Sequence, residues 1–365
     1  MKTADFFYRL PPELIAQKPA CPRDRSRLLI YKSKVKVQKS KKKTKDQGLK
    51  TGALEHRHFY DLPDYLQRGD VLVFNDTKVF PARLIGQKES GGKIEALLLE
   101  PKTADTWTAL LKPGRHALGQ TLSFSPDLNA KVAGRAQEIF SLKFNQAGAA
   151  LDKLIDQLGQ TPTPPYIKKF AELREYQTIY AKHRGSVAAP TAGLHFTPGL
   201  LAKLKKRGIQ FEYVTLHVGL GTFQPVKEAE IERHQIHTEK YSVMPETWER
   251  LRAAKQDGRR IIAVGTTTAR LLETLGATMT GADLRPPLKG HTNIFITPGY
   301  HFKMIDALIT NFHLPKSTLL MLVAAFIGDR IKNPRAGIEQ TRQIYRTAVQ
   351  NKYRFYSFGD AILIS

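Results

Sequence analysis

Cysteine is almost absent from this 365-residue chain, which has Cys21 alone. That excludes an internal disulfide framework and any zinc knuckle built on thiolates. It suits a reducing compartment, and the cytoplasm is the expected location. Long apolar runs are also missing. The best, TLLMLVAAFIG at 318–328, falls short of the ~20 residues that cross a bilayer and reads as a buried helix, so no membrane partner is expected. The N-terminus, MKTADFFYRLPPEL, lacks the apolar centre of a signal peptide. Acidic residues are scarce beside basic ones, 33 against 57, for a net charge of +24. A basic body points to a polyanionic partner, RNA or DNA ahead of a membrane surface, because no basic amphipathic helix stands out. A generally basic proteome gives the same bias with no ligand at all.

What is present falls into three kinds of segment. The first is a tract at 32–50 with nine lysines and one acid, Asp46, which holds +8 of the +24 and leaves a basic body without it. It interrupts an expected hairpin of 28–31 with 54–59, so 33–52 reads as a flexible insertion. It either adds salt-sensitive RNA affinity or is a solvated loop. The second kind is a set of short alternating runs at 82–88, 93–99, 107–111, 121–124, 130–134 and 139–144, separated by Gly, Pro and Asp. Six strands at that spacing predict a small antiparallel β-barrel, closed or half closed. The third kind alternates apolar strands with helices. The expected fold is therefore a larger α/β domain, residues 1–81 and 160–365, carrying an inserted small antiparallel β-barrel domain at 82–159.

Within the α/β part, several apolar strands stop in polar turns, two of them containing glycine. In an α/β sheet the carboxyl edge is where ligands bind. Strand 209–216 ends in His217-Val218-Gly219-Leu220-Gly221-Thr222-Phe223, after a helix at 198–206 with Thr197 as N-cap and Gly208 past its end. The loop before that helix is Pro190-Thr191-Ala192-Gly193-Leu194-His195-Phe196. Strand 71–74 ends in Asn75-Asp76-Thr77, with Arg83 shortly beyond. Strand 259–264 ends in Gly265-Thr266-Thr267-Thr268 before a helix at 269–275, a place where free N–H groups attract anions. Strand 307–310 ends in Asn311-Phe312-His313-Leu314-Pro315-Lys316, and a further strand is expected at 292–296. Each turn also has a plain structural reading, an Asx turn after strand 71–74 and ordinary Thr capping before helix 269–275. His195, His217 and His313 are the candidate catalytic imidazoles and Asp76 the candidate carboxylate; each suits structural hydrogen bonding equally well. Arg23, Arg25 and Arg27 around Asp24 suit RNA phosphate, or an ion-paired loop. The segment 226–239 holds Glu228, Glu230, Glu232, His234 and His237, but its His-x-x-His spacing lacks the i,i+4 geometry of zinc helices and no cysteine can join it, so no metal is expected.

Taken together, long strings of this chain resemble one family, the S-adenosylmethionine:tRNA ribosyltransferase-isomerases of queuosine biosynthesis. They are DFFYRLPPELIAQKP (5–19), RDRSRLL (23–29), GDVLVFNDTKVFPARL (69–84), YQTIYA (176–181), APTAGLHFT (189–197), VTLHVGLGTFQPV (214–226), AVGTTTARLLE (263–273), FITPGYHFKMIDALITNFHLPKSTLLMLV (295–323) and YRFYSFGDAILI (353–364). The Lys tract is an addition to the family pattern. Thr292-Asn293 stands where Thr-Asp is expected, and Asn293 cannot ionise. The resemblance implies an α/β domain with a barrel insert, and a reaction. The ribosyl part of S-adenosylmethionine moves to the exocyclic amine of 7-aminomethyl-7-deazaguanine at a tRNA wobble position, and isomerises to epoxyqueuosine as adenine and methionine leave. S-adenosylmethionine is then the ribosyl-donor substrate and no catalytic cofactor is implied; tRNA carrying that base is the partner, and a monomer is expected. For that reaction the candidate substrate-binding set, chosen on residue type and position at the strand ends, is Asn75, Thr77, Arg83, Thr191, Gly193, Phe196, Gly219, Gly221, Thr222, Phe223, Thr266, Thr267, Asn311 and Lys316. Within it, Thr266 and Thr267 suit the methionine carboxylate, Phe196 or Phe223 the sulfonium, and Lys316, with Arg23, a phosphate or carboxylate. The rival readings are an RNA methyltransferase, disfavoured because Phe223-Gln224-Pro225 stops a helix from following Gly219-x-Gly221, and a noncatalytic RNA-binding protein.

Overall fold

A computed structural model describes residues 1–33, 53–168, 171–219, 226–277 and 288–365. In chain order the strands are β1 (Arg27–Lys32), β2 (Ala53–His58), β3 (Val71–Asn75), β4 (Thr77–Val79), β5 (Arg83–Lys88), β6 (Lys93–Pro101), β7 (Thr106–Lys112), β8 (Thr121–Ser123), β9 (Asn129–Ala136), β10 (Ile139–Phe144), β11 (His183–Ser186), β12 (Gln210–Leu216), β13 (Glu239–Ser242), β14 (Ile261–Val264), β15 (Lys289–Thr292), β16 (Ala307–Asn311) and β17 (Ala361–Ile364). The helices are α1 (Gly148–Leu158), α2 (Pro198–Lys206), α3 (Pro245–Gln256), α4 (Thr266–Ala277), α5 (Thr318–Arg330) and α6 (Pro334–Gln350).

Nine strands form one mixed sheet in the order β15-β13-β12-β3-β14-β16-β17-β1-β2. Its centre, β12-β3-β14-β16, is parallel throughout. These strands are short, and β3 and β14 are buried along their whole length, as parallel strands covered on both faces require. Pleating sends alternate side chains to opposite faces. Val71 and Val73 join one apolar cluster with α3, α4, α5 and α6, while Leu72 and Phe74 join another with α2. Helix α5 is buried nearly all round, and the Ser317 side chain accepts the Leu320 N–H at its start. Helix α6 starts at Pro334, with Asn333 accepting from Ala336.

Six strands, β5 to β10, close an antiparallel barrel in the order β10-β7-β6-β5-β8-β9. Each alternates buried and exposed residues, for example along β6. The buried sets share a cluster with Leu151 and Ile155 of α1. The expected α/β sheet with a small antiparallel barrel is therefore the architecture.

Three local features depart from expectation. The strand expected at 292–296 instead ends at Thr292. The Thr292 hydroxyl accepts the Ile294 N–H at 3.3 Å and turns the chain out of the ladder; Asn293, just beyond, is exposed. Strand β13, unexpected from the sequence, begins at the last residue of the acidic, His-bearing segment and pairs with β12 and β15. Helix α4 begins at Thr266, three residues before its expected start, because Gly265 at φ 94° makes the left-handed turn from strand to helix.

Candidate active site

Parallel pairing places the carboxyl ends of β12, β3, β14 and β16 on one edge of the sheet. His217, Asn75, Thr266 and Asn311 follow or end those strands. Among the described residues, three cavities lie at or beside this edge.

The first cavity lies over the ends of β14 and β16. Its lining includes Thr191, Gly265, Thr266, Thr267, Asn311 and His313, together with Val218, Tyr166, Tyr356 and Ser357. Thr267 receives the Asn75 side-chain N–H at 3.4 Å. His313 shares Nε2 with the Thr310 hydroxyl at 2.8 Å, and its carbonyl accepts the Tyr8 hydroxyl. Burial pushes the His313 ring down to about 3, so it is neutral at physiological pH. Asn311 is 2% exposed. Its Nδ2 donates to the Tyr356 carbonyl at 3.0 Å, and its buried Oδ1 has no partner. Tyr356 itself sits at φ 70°, a left-handed conformation that costs free energy for a residue other than glycine and concentrates at functional sites.

The second cavity, about 360 Å³, lies between the barrel and the sheet edge. His217 lines it together with Trp107, Phe80, Glu100, Arg184 and Lys240. The His217 Nδ1 is 2.8 Å from the Thr77 hydroxyl. Burial, followed by Lys240 and His183, pushes the ring below its ordinary value. Its face packs on Gly185, where an added Cβ would stand 2.8 Å from the imidazole.

The third cavity is small and holds His195 with Arg23 and Ser357. His195 is pinned between Ser26 at 2.7 Å and Asn311 at 3.3 Å, and stacks on Phe59. Burial pushes it down to about 4.

The remaining expected residues have other surroundings. Asp76 lines none of the three cavities. It accepts the Thr215 hydroxyl at 2.6 Å, approaches His183 at 3.5 Å, and burial holds it above the ordinary carboxylate range. Asn75 is spent on the Leu216 backbone and on Thr77 N–H, as an Asx turn requires. Phe196 is fully buried edge-on to Phe59 and Phe74, so its face is closed to a sulfonium. Arg83 binds Thr163 and Glu95 at the barrel's base. Gly193 is a packing requirement, since a Cβ would stand 1.9 Å from the Tyr180 hydroxyl. Lys316 lies over Phe7, 5.5 Å from the ring centre. Arg23 donates to the carbonyls of Arg174 and Gln177, and Arg27 is held by Asp360 and stacks on Tyr353; Arg25 is exposed. An added Cβ at Gly219 would meet nothing within 4 Å. Gly221, Thr222, Phe223 and most of the Lys tract lie outside the described residues. In the acidic segment His234 pairs with Glu228 at 2.8 Å; among the described residues no group of three or more His, Cys, Asp or Glu is placed to hold a metal.

Sequence reasoning missed the buried pair Glu239–Arg270 beside the site. The Glu239 carboxylate receives Arg270 and the Gly219 N–H, and so fixes the turn after His217. The partners lie 31 residues apart on β13 and α4, so no local pattern announces them. Tyr356 was also missed; its backbone conformation has no signature in the string YRFYSFG.

A family model described as "Queuosine biosynthesis protein" matches residues 3–364. Proteins called S-adenosylmethionine:tRNA ribosyltransferase-isomerase are similar along the whole length of both chains: 48% identical in Thermotoga maritima, 49% in Moorella thermoacetica and 45% in Acetivibrio thermocellus. A crystal structure of S-adenosylmethionine tRNA ribosyltransferase from Thermotoga maritima is similar with 39% identity and a TM-score of 0.52, covering 99% of this chain and 100% of that one. The chain belongs to the queuosine biosynthesis protein family.

Proposed function

We propose that the protein transfers the ribosyl part of S-adenosylmethionine to the amine of 7-aminomethyl-7-deazaguanine at the tRNA wobble position. It isomerises that group to epoxyqueuosine and releases adenine and methionine. The observation that carries this is the end-to-end family match over residues 3–364. S-adenosylmethionine is a substrate here, and no catalytic cofactor enters the reading.

The chemistry starts from the sulfonium, which acidifies the adjacent 5′ carbon. A base removes a proton there, and loss of adenine opens the sugar. The tRNA amine adds to the exposed carbonyl, and ring closure expels methionine. His217 is the residue we assign as base. It is neutral near pH 7, the Thr77 hydroxyl orients it, and it faces the larger cavity. His195 is buried with both ring nitrogens engaged, and the buried His313 has its Nε2 held by Thr310, which suits positioning. Asp76 holds the 182–183 turn through its carbonyl.

Ribose-labelled S-adenosylmethionine should deliver its label to tRNA, with adenine released only when modified tRNA is present. Methyl label appearing on tRNA would instead establish a methyltransferase. His217→Ala should lower kcat at least tenfold. Because the pKa is depressed, the acid limb of the wild-type profile should lie below pH 6.5; a limb above that value would exclude His217 as the base. The reading also takes the protein as a cytoplasmic monomer with 82–159 as its insert. Light scattering that returned the mass of two chains would remove the monomer.

A further inference from the structure

We infer that the cavity over the ends of β14 and β16 is an α-amino-acid subsite, holding the carboxylate of its ligand at the start of α4 and the ammonium on Asn311. The inference rests on the reading that S-adenosylmethionine is the substrate, and assigns its methionine end.

Two independent features meet in one cavity. The first is the N-terminus of α4, a helix of 12 residues. The N–H groups of Thr266 and Thr267 have no carbonyl a turn back within the helix, and the helix dipole favours an anion there. Both residues line the cavity. Their hydroxyls do not all compete for the same role: Thr267 receives Asn75, and Thr268 donates to the Val264 carbonyl.

The second feature is the unpartnered Oδ1 of Asn311, on a side chain that also lines the cavity and is 2% exposed. The orientation of this amide follows from chemistry. The Tyr356 carbonyl can only accept, so the amide nitrogen must face it, and Nδ2 does so at 3.0 Å. Oδ1 is left over. An acceptor buried with no donor forfeits the hydrogen bond it makes with water in the unfolded chain, and a ligand N–H restores one. The left-handed backbone of Tyr356 is what presents its carbonyl to Asn311.

The wall itself selects the ligand class. Among the described residues it carries no Lys, Arg, Asp or Glu side chain, and its histidine is the neutral His313. A free phosphate would find no cation, and a simple cation no carboxylate. A zwitterion presents an anion and a cation together with no net charge. It matches a helix N-terminus on one side and an amide oxygen on the other. Tyr356 and Tyr166, whose rings are 4.7 Å apart, add aromatic surface beside the ammonium position.

The test is calorimetric binding to the full chain of four ligands: S-adenosylmethionine, its decarboxylated form, its deaminated form, and the dimethylsulfonio analogue lacking both groups. Wild-type protein should bind each singly truncated ligand at least tenfold more weakly than S-adenosylmethionine. Asn311→Leu should weaken S-adenosylmethionine at least tenfold while leaving the deaminated form within threefold. A purely structural role for Asn311 would weaken all four ligands alike and would overturn the ammonium assignment. The wild-type series needs no variant and therefore survives a misfolded Asn311→Leu. If the truncated ligands bind wild-type protein as tightly as S-adenosylmethionine while ribosyl transfer proceeds, the subsite is wrong and the function stands. If S-adenosylmethionine neither binds nor transfers its ribose, the function itself has failed.

Discussion

His195 and His313 are buried, and burial drives their pKa values down to about 4 and about 3. In an unfolded chain both rings titrate near 6.5. Below that pH the unfolded state takes up protons that the folded state refuses. Stability is therefore complete above about pH 7 and falls as pH drops from 6.5 towards the folded values, by about 1.4 kcal/mol per pH unit for each ring. Urea midpoints at pH 7 and pH 5 should show this loss, and His195→Gln should shrink the difference. A variant that kept the full difference would mean that His195 does not enter the fold neutral. Residue types at the strand ends were readable from the sequence; their roles were not. Three histidines sat in similar small, polar loops, and only burial and hydrogen-bond partners separate them. His217 is only partly buried at the mouth of the cavity beside the barrel, whereas His195, also at a small cavity, is held on both ring nitrogens by Ser26 and Asn311.

Helices α5 and α6 cross so closely that glycine is required at position 337. A Cβ added at Gly337 would stand 2.5 Å from the Gly328 Cα and 2.7 Å from the Ala324 carbonyl, all backbone that cannot swing aside. Overpacking of this kind costs typically 1–3 kcal/mol. Gly337→Ala should therefore lower the melting temperature by several degrees, despite the better helix propensity of alanine. An unchanged or raised melting temperature would show that the pair can separate at no cost. Element by element, local chemistry was a good guide where capping and pleating set the boundaries. Pro198 behind Thr197 starts α2, Ser317 starts α5, and the six alternating runs are the six barrel strands. It was a poor guide where a distant partner decides. Strand β13 forms because β12 and β15 flank it, and no apolar alternation in 239–242 announces it.

At the scale of the molecule, the sequence order conceals the site. Strand β3, from residues 71–75, lies between β12 at 210–216 and β14 at 261–264, and only this crossover brings Asn75, His217 and Thr267 to one edge. Strand ends were visible as polar turns, but which strands are neighbours depends on long-range pairing that no local string encodes. Charge is the opposite case, being wholly legible and indifferent to topology. The Lys tract is the conspicuous feature, yet most of the +24 lies outside it. Deleting 34–50 removes eight lysines and Asp46, so the net charge falls only to +17. Affinity for tRNA depends on the phosphates neutralised, each adding close to one unit to the slope of log K against log salt. If the folded body makes the phosphate contacts, the deletion variant should keep a steep salt dependence and lose little of the slope. Filter binding of tRNA from 50 to 200 mM salt, on the full chain and the deletion variant, measures both slopes. A slope that collapses on deletion would move the tRNA contacts into the tract and leave the basic body as a solubility feature. A slope that survives places them on the folded surface, where Arg25 beside the sheet edge is the first residue to replace.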